Sequence, residues 1–237
     1  MVKEKVVKVG DTIEVIYTKD HWRLLQKKRE KAASIMEALR IRGLEPIVHG
    51  SIARGDVHAR SDVDIVLTIP QSPYIVELAL ELSGIEVHHK AIVQATPSNT
   101  PKVYLYLTGD ETECVSYPLN KLKPRELEFY KFGGMLDYEM LIKNVRVPGV
   151  NKKLLLIVPT EKGHIEKPII GKEHEVAKLL NISIDTVMER VRVLTRRDEL
   201  GRTGVFIKKV LPSDASIEEA VNRIKRENPL FRRALEA

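Results

Sequence analysis

Gly50-Ser51-Ile52-Ala53-Arg54-Gly55-Asp56, followed after Val57-His58-Ala59-Arg60 by Ser61-Asp62-Val63-Asp64-Ile65, is the stretch on which both fold and chemistry turn. Pro46-Ile47-Val48 before it is a short apolar run that predicts a buried strand ending at His49-Gly50-Ser51. The run Asp62 to Ile69 predicts a second strand, stopped by Pro70. Residues two apart on a strand share a face, so Asp62 and Asp64 offer two carboxylates on one side while Val63 and Ile65 pack on the other. Such hard oxygen donors suit Mg²⁺ or Mn²⁺, which commonly take further oxygens from a bound phosphate. The small Gly50-Ser51 pair lets backbone N–H groups and a hydroxyl approach phosphate oxygens.

An apolar strand, Gly-Ser, a short spacer and Asp-x-Asp together resemble the polymerase-beta-type nucleotidyltransferase superfamily, with Ala53-Arg54-Gly55 similar to its minimal members. The resemblance is close from Pro46 to Ile69 and does not extend to the C-terminal half. It implies that Asp62 and Asp64 bind two divalent ions, Mg²⁺ or Mn²⁺. It also implies that Gly50 and Ser51 hold the triphosphate of an NTP, with ATP the expected donor. Arg54 either steadies that loop or meets a phosphate. The implied reaction moves a nucleoside monophosphate onto a hydroxyl of RNA or protein and releases pyrophosphate. The superfamily uses a third carboxylate on a later strand; Glu113 is the choice here, as catalytic residue and metal ligand, with Glu86 and Asp110 as rivals. Without a third carboxylate, the alternative is a non-catalytic nucleic-acid-binding regulator that keeps a relict nucleotide site.

Working outward, Val6 to Tyr17 alternates about Gly10-Asp11 and predicts a hairpin. Apolar residues at helical spacing from Asp20 to Arg42 predict a long amphipathic helix stopped by Gly43. Ser72 and Pro73 start a helix running through Leu82. Strands are expected near residues 86–95, 103–107 and 112–117, giving an α+β layer of helices on a mixed sheet, the nucleotidyltransferase fold. Val147-Pro148-Gly149 is the best linker, dividing a catalytic domain over residues 1–146 from a basic domain over 147–237.

In the second part, Leu154 to Val158 predicts a strand, and residues 173–180 and 183–197 predict two helices. A Gly201 to Gly204 turn then leads into Val205-Phe206-Ile207 as a wing, so the pattern resembles a winged helix-turn-helix. Arg190, Arg192, Arg196, Arg197 and Arg202 make it a candidate surface for RNA or DNA, with a protein-binding module as the equal alternative. His88 and His89 alternate faces and cannot share a metal from one side, and His164 reads as a turn residue.

Composition sets the outer limits. With 43% hydrophobic residues and a net charge of +6, the 237-residue chain has matter for a sizeable core and a mild preference for polyanionic partners. Its one cysteine, Cys114, excludes an intrachain disulfide and a cysteine-rich zinc site. The longest apolar runs are far below the ~20 residues of a membrane span, so a cytoplasmic protein is expected, with a homodimer left open.

Overall fold

The computed structural model describes residues 6–201 and 204–236. Its elements form two compact units that interleave along the chain: residues 6–30, 49–61 and 124–201, and residues 31–48, 62–123 and 204–236.

The first unit is built on a four-stranded antiparallel sheet. Its order is β1 (Ile13–Ile16), β10 (Gly163–Pro168), β9 (Leu155–Thr160), β8 (Gly149–Val150). The hairpin expected over Val6 to Tyr17 does not form, because Ile13 to Ile16 pairs with Glu166 to Gly163 instead. Only the second half of the alternating run, Ile13 to Ile16, forms a strand, and its partner lies about 150 residues away in the chain. His164 is therefore a strand residue, not a turn residue: it is buried, and its Nδ1 is 2.7 Å from the Tyr17 hydroxyl.

Against this sheet's apolar side pack α4 (Pro124–Gly133), α6 (Glu173–Leu180) and α7 (Ile184–Leu200), contributing Phe132, Val176, Leu180 and Val187 to one core with Leu154, Leu156 and Ile169. Asn181 in the left-handed region (φ 50°) makes the tight turn between α6 and α7, and Ser183 caps α7 by accepting from the Thr186 N–H.

The second unit holds a mixed sheet. Its strands run β11 (Ile207–Pro212), β4 (His89–Gln94), β5 (Lys102–Tyr106), β6 (Glu113–Pro118), β3 (Val63–Leu67), β2 (Pro46–His49). The β3–β6 pair is parallel, and β6–β5, β5–β4 and β4–β11 are antiparallel. The strand expected as a wing is thus an edge strand of this sheet: Ile207 to Pro212 pairs residue by residue with Gln94 to His89. Pairing gives β4 a partner for ladder groups that would otherwise form an open edge.

One side of the sheet is dry. Val63, Ile65, Val115, Tyr117, Leu105, Val103 and Ile92 are all buried there. On that side Lys31, in the helix α1 (Lys19–Arg40), pairs with Glu113, and Lys90 reaches Glu77 of α3 (Pro73–Glu81) at 2.8 Å and the Ala215 carbonyl at 2.9 Å. Ser216 caps α8 (Ile217–Glu227): its hydroxyl accepts from the Glu219 N–H.

Candidate active site

In the first unit, Gly50 opens the four-residue helix α2 (Ser51–Arg54) with φ 85° and ψ −141°, a conformation that residues with a Cβ avoid. Its N–H donates to the Gly134 carbonyl at 2.9 Å. Ser51 is half-buried, while Ile52, Ala53 and Arg54 are buried beneath the turn.

Two arginines hold this turn from below. Arg54 forms a two-pronged pair with Asp56, at 3.0 and 2.9 Å, and donates to the Gly133 carbonyl at 2.5 Å. Of the two roles expected for Arg54, these bonds are those of a residue that steadies the loop. Arg29, only 5% exposed, donates to the Ile52 carbonyl through Nε (3.2 Å) and Nη2 (3.1 Å), and to the Val145 carbonyl at 2.7 Å. Burial lowers its pKa to about 10, with the Arg146 charge adding to the effect. The cation satisfies the last carbonyls of a helix too short to satisfy its own. Sequence reasoning missed Arg29, which looks like any cation of an amphipathic helix. Gly55 is constrained too: at φ 104°, a Cβ there would lie 2.7 Å from Arg146 Cδ.

In the second unit, Asp62 is exposed immediately before β3, and Asp64 is half-buried within it. Both charges reach Cys114 on the neighbouring strand. The Cys114 thiol is 3.3 Å from Asp64 Oδ1, and its pKa is raised well above that of an ordinary thiol by burial first and then by the charges of Asp64 and Asp62. Cys114 therefore stays a protonated donor and supplies no thiolate. The two carboxylates here are hard oxygen donors, of the kind Mg²⁺ accepts when substrate phosphates and water complete its shell.

The register decides the third carboxylate. Asp64 pairs with Cys114, and Val63 pairs with Glu113. Glu113 therefore points to the opposite face, where its carboxylate meets Lys31 Nζ at 3.1 Å. The structure does not bring Glu113 together with Asp64. Asp110 lies in the exposed β5–β6 turn, where bonds from the Thr112 hydroxyl and N–H lower its pKa, and Glu86 is an exposed residue before β4. Among the described residues, no group of three His, Cys, Asp or Glu side chains is arranged to hold a metal.

Beyond Cys114 the same face carries aromatic rings that the sequence did not bring to attention. Tyr106 is the cross-strand partner of Cys114, and His89 that of Tyr106. The His89 and Tyr106 rings stack at 4.6 Å, and Tyr104 lies nearly parallel to Tyr106 at 6.1 Å. Burial, followed by the nearby Glu111 charge and smaller contributions from Cys114 and Asp64, raises the Tyr106 pKa to about 12. Period-two alternation in β5 was the available signal: Lys102, Tyr104 and Tyr106 share one face.

The arginines of α7 divide. Arg190 packs over the Phe129 ring at 4.9 Å, and burial, with the Arg197 charge adding to it, lowers its pKa to about 10. Arg192, Arg196 and Arg197 are exposed, while Arg202 lies outside the described residues. A helix-turn-helix reads bases with the first turn of its second helix. In α7 that turn is engaged by α4, where the Glu128 carboxylate accepts from the Ser183 N–H at 3.1 Å and the Ser183 hydroxyl at 2.6 Å, and Arg125 pairs with Asp185 at 2.9 Å.

A protein-family model described as "Nucleotidyltransferase domain" matches residues 29–131. That span runs from the second half of α1 through most of α4 and includes the Gly50 turn, Asp62 and Asp64. No curated protein matches the chain. Among the described residues, no helix is long and apolar enough to cross a membrane.

Proposed function

From the premise that this chain carries a nucleotidyltransferase domain of the polymerase-beta type, and is on that ground a transferase of phosphorus-containing groups, we propose that it moves a nucleoside monophosphate from an NTP to a hydroxyl acceptor. The observation that carries this reading is the pair Asp62 and Asp64, whose charges both act on Cys114 inside the matched span. Gly50 and Ser51 hold the triphosphate, in a turn fixed by Arg29 and Arg54. Asp62 and Asp64 hold divalent cation, Mg²⁺ or Mn²⁺. Such an ion polarises the phosphoryl oxygens and offsets charge on the departing pyrophosphate.

In the step itself, the acceptor oxygen forms a bond to the α-phosphorus as the bond from that phosphorus to the bridging oxygen breaks. Pyrophosphate leaves with the electron pair, and the acceptor proton passes to solvent. ATP is the first NTP to try.

One observation favours a second reading. Cys114, not a carboxylate, is the cross-strand partner of Asp64, which fits a nucleic-acid-binding regulator with a relict nucleotide site. A single experiment separates the two. Each α-labelled NTP is incubated with the protein, Mg²⁺ or Mn²⁺ and total RNA or protein, beside Asp62→Ala/Asp64→Ala. The transfer reading expects label incorporation that falls by about a thousandfold or more in the double variant, the scale of several kcal/mol of lost charge stabilisation. Incorporation equal in the two proteins, or absent with all four NTPs while nucleotide still binds, rejects it.

A further inference from the structure

The second face of the second unit's sheet is buried at Cys114, Val66, Ser116 and Ala91 and half-exposed at its rings, and its chemistry is ordered. A single cross-strand row reads Asp64, Cys114, Tyr106, His89, Pro212. The next row on that face reads Val66, Ser116, Tyr104, Ala91, Val210, and Lys102 and Lys208 stand beyond it as the partners of Val93. Asp64 thus stands at one end of the face and three nearly parallel rings in the middle, with Glu111 beside them at 3.3 Å from His89; Lys102 and Lys208 lie beyond, Lys208 also 3.8 Å from Glu111. Tyr104, Tyr106, His89 and Lys102 are half-exposed, whereas every second residue between them is buried on the other side. Val210 and Lys208 on the edge strand are exposed.

Direction follows from the transfer step. Within this sheet, β6, β5 and β4 follow β3 in that order, so the rings lie on one side of Asp64. Displacement at phosphorus places entering and leaving oxygens roughly in line. On the transfer reading, the acceptor hydroxyl reaches the α-phosphorus beside Asp64 from the side of the rings. Tyr106 is two strands from Asp64, about 10 Å at ~4.8 Å per strand.

We infer that this face seats the acceptor, and that the acceptor is a single-stranded nucleic acid whose bases pack on Tyr104, Tyr106 and His89 while its phosphates meet Lys102 and Lys208. This rests on the transfer reading for its direction, but the seat stands on the ring ladder and its charge. Rings for stacking with cations to follow a backbone are the two requirements of single-strand recognition. Duplex is not expected here, because its bases are already stacked.

The test uses the full chain and fluorescein-labelled single strands of RNA and of DNA, about 12 nucleotides long, within the usual range of site sizes. It reads anisotropy without NTP or metal, beside a duplex of the same sequence. Tyr104→Ala/Tyr106→Ala weakens single-strand binding by about tenfold or more, and Tyr104→Phe/Tyr106→Phe stays within about twofold. Should the alanine pair fail to fold, Tyr104→Leu/Tyr106→Leu keeps apolar bulk and gives the same loss. Lys102→Gln/Lys208→Gln shallows the log–log salt slope by about 1.4, two single-strand phosphate contacts. Wild-type affinity in the leucine pair overturns the inference, as does equal binding of duplex, or no binding of either strand.

Label transfer keeps the two readings apart. Transfer to polypeptide that ignores the leucine pair sinks the seat and spares the transferase. Tyrosine-dependent strand binding without any transfer does the reverse.

Discussion

Two adjacent rows of the same sheet have opposite characters. Ile65, Val115, Leu105, Lys90 and Leu211 form one row, and Asp64, Cys114, Tyr106, His89 and Pro212 form the next. The first is buried throughout, and its lysine is satisfied by Glu77 and a carbonyl. The second is half-exposed from Tyr106 to His89 and keeps its carboxylate beside a thiol. Each strand contributes one residue to each row, so stability and chemistry are divided by pleat and not by segment.

The largest break in this comparison should come from Ile65→Ala. Ile65 is fully buried, and truncation there should cost about 2–5 kcal/mol in chemical denaturation, with its apolar cavity the cause. Glu113→Gln comes next and is small on both counts. Its pair with Lys31 is partly exposed, at 22% and 47%, so stability should fall by less than about 1 kcal/mol. Label transfer should stay within about twofold, because Glu113 faces the structural side; a loss approaching that of the Asp62→Ala/Asp64→Ala protein would return it to the metal site.

The smallest effect is a titration. Tyr106 rises from 10.0 to about 12 in the folded protein, so the native state holds this proton more tightly than the unfolded chain does. Its contribution to stability is complete below pH ~10 and is lost as pH climbs from there to ~12. Tyr106→Phe should remove one late step from the tyrosinate absorbance titration and flatten the stability profile in that interval. An unchanged titration would place Tyr106 in water.

The local part of this architecture was legible in sequence. Pro46, Gly50, Pro70 and Pro73 punctuate β2, the Gly50 turn, β3 and α3, and the observed bounds follow them within two or three residues. Non-local pairing was not legible. The segment 207–212 finds its partner more than 110 residues earlier, and 13–16 finds its partner about 150 residues later. No periodicity within a strand names its neighbour. The third carboxylate turned on the same deficit. Glu113 and Cys114 are consecutive, and a one-residue change of register against β3 exchanges which of them shares a face with Asp64. The aspartates needed no register to be found, because their spacing is local, although only Asp64 lies within β3. Arg29 was invisible for a related reason: its distinction is its set of carbonyl partners, not its type.

In the proposed reaction, the buried Arg29 clamp has a kinetic consequence for nucleotide capture. The two carbonyls at the end of α2 and that of Val145 are already tied to one guanidinium before any ligand arrives. A polyphosphate docking on this turn meets backbone whose entropy was surrendered during folding, so little of the docking free energy goes to ordering the loop. Capture should accordingly be a single fast encounter without a slow rearrangement, and what limits turnover will lie elsewhere, in acceptor engagement or product escape.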